Sequence, residues 1–386
     1  MLISNVRLKN WRNFRNANVQ LRDRMFIAGP NACGKSNFLD VFRFLCDIAK
    51  PGGGLQKAIR DRGGLSKIRC LSARSEPEVE IEIEISDTSD SETLWRYSIG
   101  IKQQPRGNRL PYLDHERIWK GSRLILDRPD QSDEGDVMRL TQTHLEQISA
   151  NQEFREVSEF FVSILYMHLI PQLLRNPEAY SASGADGDPF GRDFLERVAK
   201  TPAKTRLSRL KKIEKALVKA VPQLKQLRDT KDEAGVPHLE AVYEHWRPQG
   251  AKQREDQFSD GTLRLIGLLW CLLETKSSLL LLEEPELSLN AAIVEMLPRV
   301  FHQLLKNKKN KQIILSTHSA ELLSDRGIGG EDILIMTPDA EGTDVKVASS
   351  IREVRDLLEN GFTPAEVIMP RTAPKFPGNQ GLLFDV

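Results

Sequence analysis

Residues Gly29 to Ser36 read Gly-Pro-Asn-Ala-Cys-Gly-Lys-Ser, two glycines framing a short loop that ends in a lysine and a hydroxyl residue. This is the spacing that a phosphate-cradling loop needs. Glycine permits backbone angles that other residues resist, so successive amide hydrogens can converge on phosphate oxygens. Lys35 has the reach to meet terminal phosphates, and the Ser36 hydroxyl is placed to ligand Mg²⁺. A helix starting behind the loop adds the positive end of its dipole. Gly29, Asn31, Gly34, Lys35, Ser36 and Asn37 are therefore the candidate nucleotide contacts.

A second set lies far downstream. Leu279 to Leu282 is a run of leucines followed by Glu283 and Glu284. Such a run fits a central strand of a parallel sheet, whose carboxyl end is where ligands bind. Glu283 is the candidate partner of Mg²⁺ or its waters, and Glu284 the candidate base that orients and activates water. Ile313-Ile314-Leu315 leads in the same way into Ser316-Thr317-His318-Ser319, where His318 could contact a γ-phosphate or hold the attacking water. Taken singly, the acids could be a solvated turn and His318 an ordinary strand end; the intact phosphate loop favours chemistry. Phe258-Ser259-Asp260-Gly261-Thr262 stands just before a helical pattern. Its hydroxyl and glycine suit either a further anion-binding corner or a plain helix cap.

These groups need a framework if they are to meet. Met25 to Ala28 is an apolar strand directly before the loop, and Phe38, Leu39, Phe42 and Leu45 recur at helical spacing after it. Strands are also expected over Leu2–Leu8 and Ala17–Leu21. Val79, Ile81, Ile83 and Ile85 alternate with Glu80, Glu82 and Glu84, and strand-like runs follow at Trp95–Lys102, His115–Lys120 and Arg123–Leu126. They predict an antiparallel lobe with one wet, acidic face. From Gln142 to Leu227 the pattern is helical, broken by a loop over Ser181–Pro189. A strand over Leu239–Trp246, helices over Thr262–Glu274 and Ala291–Leu305 and a strand over Ile333–Met336 complete the order. The expected division is a first α/β half over 1–140, a helical insertion or lid over 141–250, a second half over 251–368 and a tail over 369–386.

Composition sets limits on partners. The 386 residues exceed the usual size of one core. Apolar residues at 40% and charged residues at 28% describe an ordinary soluble globular chain. Lysine and arginine number 55 against 54 acids, a net +1, so any polyanion site must be local. Cys33, Cys46, Cys70 and Cys271 form no C-x-x-C pair and suit reduced thiols in a cytoplasm. The start, Met1 to Trp11, is interrupted by Arg7 and Lys9, unlike a signal peptide. No apolar run reaches the roughly 20 residues of a membrane span, so no membrane partner is expected.

The order GPNACGKS, FSDGT, LLLLEEPE, ILSTHS resembles the ATP-binding-cassette ATPases, and more narrowly their branch of SMC, RecF and OLD-like proteins. The opening Leu8-Lys9-Asn10-Trp11-Arg12-Asn13-Phe14 is similar to the start of that branch. The likeness covers residues 1–48 and 255–337. It implies an α/β fold, a P-loop NTPase head of ABC type with an antiparallel β-lobe and a helical insertion. It further implies ATP and Mg²⁺ as ligands, with Lys35 and Ser36 as Walker A, Glu283 as Walker B, Glu284 as catalytic glutamate and His318 as switch histidine. Ser259 and Gly261 would be signature residues that bind the γ-phosphate held by the opposite subunit. The protein would then be a homodimer or higher oligomer that sandwiches ATP. Glu283 stands where many cassettes have Asp, and Asn290 where His or Asp is frequent. Gln56 is the nearest candidate for a glutamine loop. Neither long coiled-coil arms nor a C-x-x-C hook is present. The choice of ATP over GTP rests on the resemblance, with no guanine-reading N-K-x-D sequence.

What the head acts on is less marked. Lys200 to Arg228 carries Arg206, Arg209, Lys212, Lys215 and Lys219 among its many cations, with Glu214 as its one acid. Leu207, Leu210, Ile213, Leu217 and Val221 recur among them at helical spacing. The stretch is either a positive ridge for nucleic acid, with DNA the candidate, or a solvated helix face. Lys306 to Lys311 reads as a solvated loop. Asp332, Asp339, Glu341 and Asp344 lack the strand framework of a built-in nuclease, so a separate effector such as a nuclease is the expected partner. Small ATPases that this one resembles, without coiled coils, often belong to bacterial phage-defence or toxin systems, where the ATPase senses and a partner chain cuts. Two functions follow: an ATP-hydrolysing head dimer that gates a nucleic-acid transaction, or an ATP-dependent scaffold or sensor with slow hydrolysis that recruits a protein without binding DNA. The end, Pro370 to Val386, is either a docking peptide or a disordered terminus.

Overall fold

Two kinds of strand pattern build two kinds of sheet. The computed structural model describes residues 1–73, 76–89, 91–104, 109–175, 190–244, 250–274, 278–307 and 311–372. The expected loop over Ser181–Pro189, most of the expected tail and the middle of the Lys306–Lys311 run lie outside these residues.

β1 (Leu2–Trp11) and β2 (Phe14–Gln20) form a hairpin, and β3 (Arg24–Ala28) leads to the phosphate loop. β4 (Val79–Ser86), β5 (Thr93–Gln103), β6 (Pro111–Lys120) and β7 (Arg123–Arg128) run as an antiparallel meander. The sheet order is β2-β1-β4-β5-β6-β7. Val79, Ile81, Ile83 and Ile85 are fully buried, so the two-residue period does settle the register of β4. The acidic face differs from expectation. β1 lies against β4, and Arg7 Nη1 reaches Glu82 at 2.7 Å while Lys9 Nζ lies within 3.2 Å of Glu76, Glu78 and Glu80. Exposed pairs contribute little each, but together they neutralise the carboxylates of β4.

The central sheet is ordered β15-β14-β3-β13-β12-β8, from β8 (Leu165–Met167), β12 (Leu279–Glu283), β13 (Gln312–Thr317), β14 (Ile333–Pro338) and β15 (Thr343–Val347). All neighbours are parallel except β14 and β15. Both faces are covered, which is why these strands read as continuous apolar runs. Met25, Ile27, Leu279, Leu281 and Ile314 pack in the core that contains α1 (Lys35–Ala49). Phe26, Ala28, Leu280, Leu282, Ile313 and Leu315 pack in the opposite core. The buried Gln312 amide bonds Ile3 N and O and Arg22 O, tying the central sheet to β1.

The middle of the chain departs most from its reading. It is not simply helical. β8 leaves it to become an edge of the central sheet, and β9 (Leu224–Lys231), β10 (Pro237–Tyr243) and β11 (Ala251–Arg254) form a separate three-stranded sheet. A three-residue strand such as β8 is too short to show a period, so only its partner reveals it. The helix α2 (Ala203–Leu217) carries only part of the basic stretch, with Lys219 in the turn after it and Lys225 and Arg228 on β9, and α3 (Asp260–Leu273) follows Ser259. The expected helix over Ala291–Leu305 is two, Ala291–Val294 and Leu297–Asn307.

Candidate functional site

The phosphate loop closes around its own lysine. Lys35 is buried and its Nζ donates to Gly29 O at 3.0 Å and Pro30 O at 3.1 Å. Burial is the largest influence on its amine and lowers the pKa, against the pull of Glu284, Glu283 and Glu286. Gly34 has φ +100°, and a Cβ there would stand 2.1 Å from Asn13 Nδ2. Only glycine fits. Asn13 reaches across from the β1–β2 hairpin: its Nδ2 donates to Cys33 O and to Thr343 Oγ1, both at 2.7 Å, while Asn37 Nδ2 donates to its Oδ1 at 2.8 Å. Trp11 Nε1 donates to Asn37 O at 2.8 Å, and Arg12 pairs with Asp40 at 2.7 Å. The opening stretch thus clamps the first turns of α1. Asn31 and Ser36 are exposed, the first beside Ala32 with its left-handed φ of 61°.

The strand period then sorts the two acids. Glu283 extends the face of Leu279 and Leu281, toward α1, and accepts from the Ser36 hydroxyl although the residues are 247 apart in sequence. Its other oxygen accepts from the Tyr166 hydroxyl on β8. At Glu284 the backbone turns left-handed, φ 43°, and its N–H donates to Ser316 O at 3.1 Å. A strained non-glycine residue of this kind persists where its surroundings dictate it. Glu284 Oε1 lies 3.4 Å from His318 Nε2. Burial and then Lys35 lower the His318 pKa, with Glu284 opposing them, so the neutral imidazole is favoured.

Glu286 is a residue to which the sequence alone assigns no role. It is buried, and its Oε1 accepts from Thr317 Oγ1 at 2.6 Å and from His318 N at 3.0 Å. It therefore straps the loop after β12 to the end of β13. Burial raises its pKa.

Ser259 and Gly261 lie at the start of α3. Ser259 Oγ accepts from Thr262 N at 3.2 Å and caps α3. A Cβ on Gly261 would stand 2.4 Å from Ser288 O, so that position lies hard against the loop after β12. Ser259 is exposed. Asn290 caps the next helix by accepting from Ala292 N at 3.0 Å. Gln56, the nearest glutamine-loop candidate, donates instead to Pro111 O and Thr141 O, at 2.8 and 2.9 Å, and is a strut of the β-lobe.

The basic stretch divides. Arg206 pairs with Asp229 at 2.9 Å, and Arg209 lies over the Trp270 ring at 5.2 Å, so both arginines are committed to packing. Lys212, Lys215 and Lys219 are exposed, as are Lys204 and Lys211. Leu210, Ile213 and Leu217 are buried, whereas Leu207 is 53% exposed and falls off the expected apolar face.

A divalent cation fits the donor set. The Ser36 hydroxyl and Glu283 carboxylate are adjacent hard oxygens, and among the described residues no cluster of three acidic, histidine or cysteine ligands exists. Mg²⁺ suits such a sparse set, because it keeps waters and takes substrate phosphates as ligands. Asn13 was within reach of sequence analysis, since it lies in the opening stretch that resembles the SMC and RecF branch. Tyr166 was not, since nothing in Leu165-Tyr166-Met167 marks a sheet edge. No helix among the described residues is long and apolar enough to cross a membrane.

Residues 24–324 match the family described as "AAA domain, putative AbiEii toxin, Type IV TA system". The endonuclease GajA of Bacillus cereus (strain VD045) is 47% identical over 47 residues, a segment that makes up 12% of this chain and 8% of that protein. An SMC head bound to the C-terminal winged-helix domain of ScpA superposes with a TM-score of 0.54 at 15% identity, over 90% of this chain and 98% of that one. An Smc head with an extended coiled coil, bound to the C-terminal domain of ScpA and derived from Pyrococcus furiosus, gives 0.51 at 13% identity over 93% and 98%. The fold is that of an SMC-type P-loop NTPase head.

Proposed function

The chain belongs to this family of AAA domains, and from that premise we propose that it is an ATPase whose heads close on one another around Mg²⁺-ATP. Lys35 exchanges the carbonyls of Gly29 and Pro30 for phosphate oxygens, and the loop amides cradle the same group. Ser36 and Glu283 hold Mg²⁺, which supplies neutralisation of charge on the transferred phosphoryl group. Glu284 accepts the proton of the attacking water, and His318, strapped by Glu286, steadies that water or the γ-phosphate. Ser259 and Gly261 meet the γ-phosphate held by a second copy, an assignment that the exposure of Ser259 supports. In this reading 1–140 and 251–368 form the head, and 141–250, apart from β8, its lid.

The observation that carries the reading is the hydrogen bond from Ser36 to Glu283, which joins the phosphate loop to the acid that ends a leucine strand. For output we propose that closure gates a separate nuclease or toxin-like effector in the cytoplasm, with DNA met by Lys212, Lys215 and Lys219. The family description and the local likeness to an endonuclease support that choice over a scaffold without nucleic acid.

The test is ATP turnover with and without DNA, together with sedimentation. Glu284→Gln should lose about 10²- to 10⁴-fold in turnover and accumulate an ATP-bound dimer. Ser259→Arg should bind ATP as a monomer but fail to dimerise. Equal turnover in parent and Glu284→Gln, with no ATP-dependent dimer, would replace the ATPase reading with the slow scaffold.

A further inference from the structure

Tyr166 has no counterpart in the chemistry assigned so far, yet its hydroxyl bonds the carboxylate at the centre of the site. β8 runs parallel to β12 with Tyr166 opposite Leu281. Side chains two apart on a strand share a face, so Leu281 and Glu283 point the same way and Tyr166 points with them. The phenol ring packs against the core beneath α1, and the Arg43 guanidinium lies 5.3 Å from its centroid. Arg43 belongs to the helix that begins at Lys35. The ring is therefore held between the phosphate-loop helix and the Walker-type strand.

Both hydroxyls donate to Glu283, which accepts through its two carboxyl oxygens. Ser36 approaches one oxygen and Tyr166 the other. We propose that Tyr166 is a positioning residue for the metal: its hydroxyl fixes the far oxygen of Glu283 so that the near oxygen and Ser36 face one cation. This rests on the assignment of Ser36 and Glu283 as the Mg²⁺ site and adds the group that aims them. Partners of this kind behind a metal ligand commonly account for about 10- to 100-fold in metal affinity.

Tyr166→Phe removes one oxygen and keeps the ring, its packing and its stack with Arg43. The probe is Mn²⁺, read by the change in its paramagnetic resonance signal as protein is titrated into a fixed mixture of Mn²⁺ and a nonhydrolysable ATP analogue, relative to the same mixture without protein. A fluorescent nucleotide in EDTA reports metal-free binding in parallel. Tyr166→Phe should bind Mn²⁺ about 10-fold more weakly and the metal-free nucleotide as well as the parent does. Mn²⁺ affinity within twofold of the parent would overturn the proposal, since a hydroxyl that merely fills space is dispensable. Loss of metal-free nucleotide binding would overturn it too, because the phenol would then be holding the loop together. If the parent itself takes up no Mn²⁺ with the analogue, the assignment of Ser36 and Glu283 fails first, and that result is distinct from either.

Discussion

The carboxyl edge of the central sheet and the segment between β7 and β11 use the same twenty residue types to opposite ends. At the edge, β3, β12 and β13 each bury an apolar run and present their candidate site groups at or just past the last residue: the loop after Ala28, Glu283 with Glu284, and His318. Position along the strand fixes what each group meets. In the segment, a helix gains its stability from what it lies on. α2 buries only Leu210, Ile213 and Leu217 and packs against α3 through Arg209 and Trp270. Its lysines are exposed and form no ion pair among the described residues. The charges of the site are thus directed inward in one region while the lysines of α2 are displayed in the other, and substitutions should separate the two.

The largest effect belongs to Lys35. Lys35→Ala should remove nucleotide binding altogether, measured by titration with a fluorescent ATP analogue. The fold should survive. Burial already opposes the charge of Lys35, as its lowered pKa shows, so its removal relieves a desolvation cost while sacrificing two bonds to carbonyls. Wild-type affinity in a well-folded Lys35→Ala protein would erase the contrast between the two regions.

The same contrast explains what could be read in advance. The phosphate loop, the leucine strand and Ile313–Ser316 were legible because each couples a strong local period to an abrupt change of residue type. Pairings across hundreds of residues were not. β8 is three residues long and has no period to show, so Tyr166 carries no local signal among helical neighbours. Arg206 and Arg209 look like Lys212 in a run of cations, and only Asp229 and Trp270 reveal that they face inward. Arg7 and Lys9 likewise lie far in sequence from the acids of β4 that they neutralise. Local chemistry is written locally, while the partner of an ion or an edge strand is decided by topology.

Asn13 sharpens the comparison, because it lies at the edge without being a proposed nucleotide ligand. Its side chain joins Cys33 O, Thr343 Oγ1 and Asn37 Nδ2. Asn13→Ala leaves those partners short of a bond, at a cost of about 1–3 kcal/mol. Chemical denaturation should show that loss, and nucleotide affinity should fall with it. A variant that is destabilised but binds normally would show that the clamp serves the fold alone.

The smallest effect on the molecule, and the most selective, is expected on α2. Reversing Lys212, Lys215 and Lys219 to glutamate changes only exposed side chains, so stability should stay within about 0.5 kcal/mol of the parent. DNA affinity should nevertheless fall, and the slope of its logarithm against the logarithm of salt should flatten by roughly 0.9 for each phosphate that is no longer neutralised. Arg209→Ala should do the reverse. It removes the cation–π stack on Trp270, worth about 0.5–2 kcal/mol, while leaving the salt slope alone. The pair separates a nucleic-acid ridge from a solvated helix face. Display matters only if the lysines set the slope and the inward arginine does not; an unchanged slope in the lysine variant would return α2 to plain solvation.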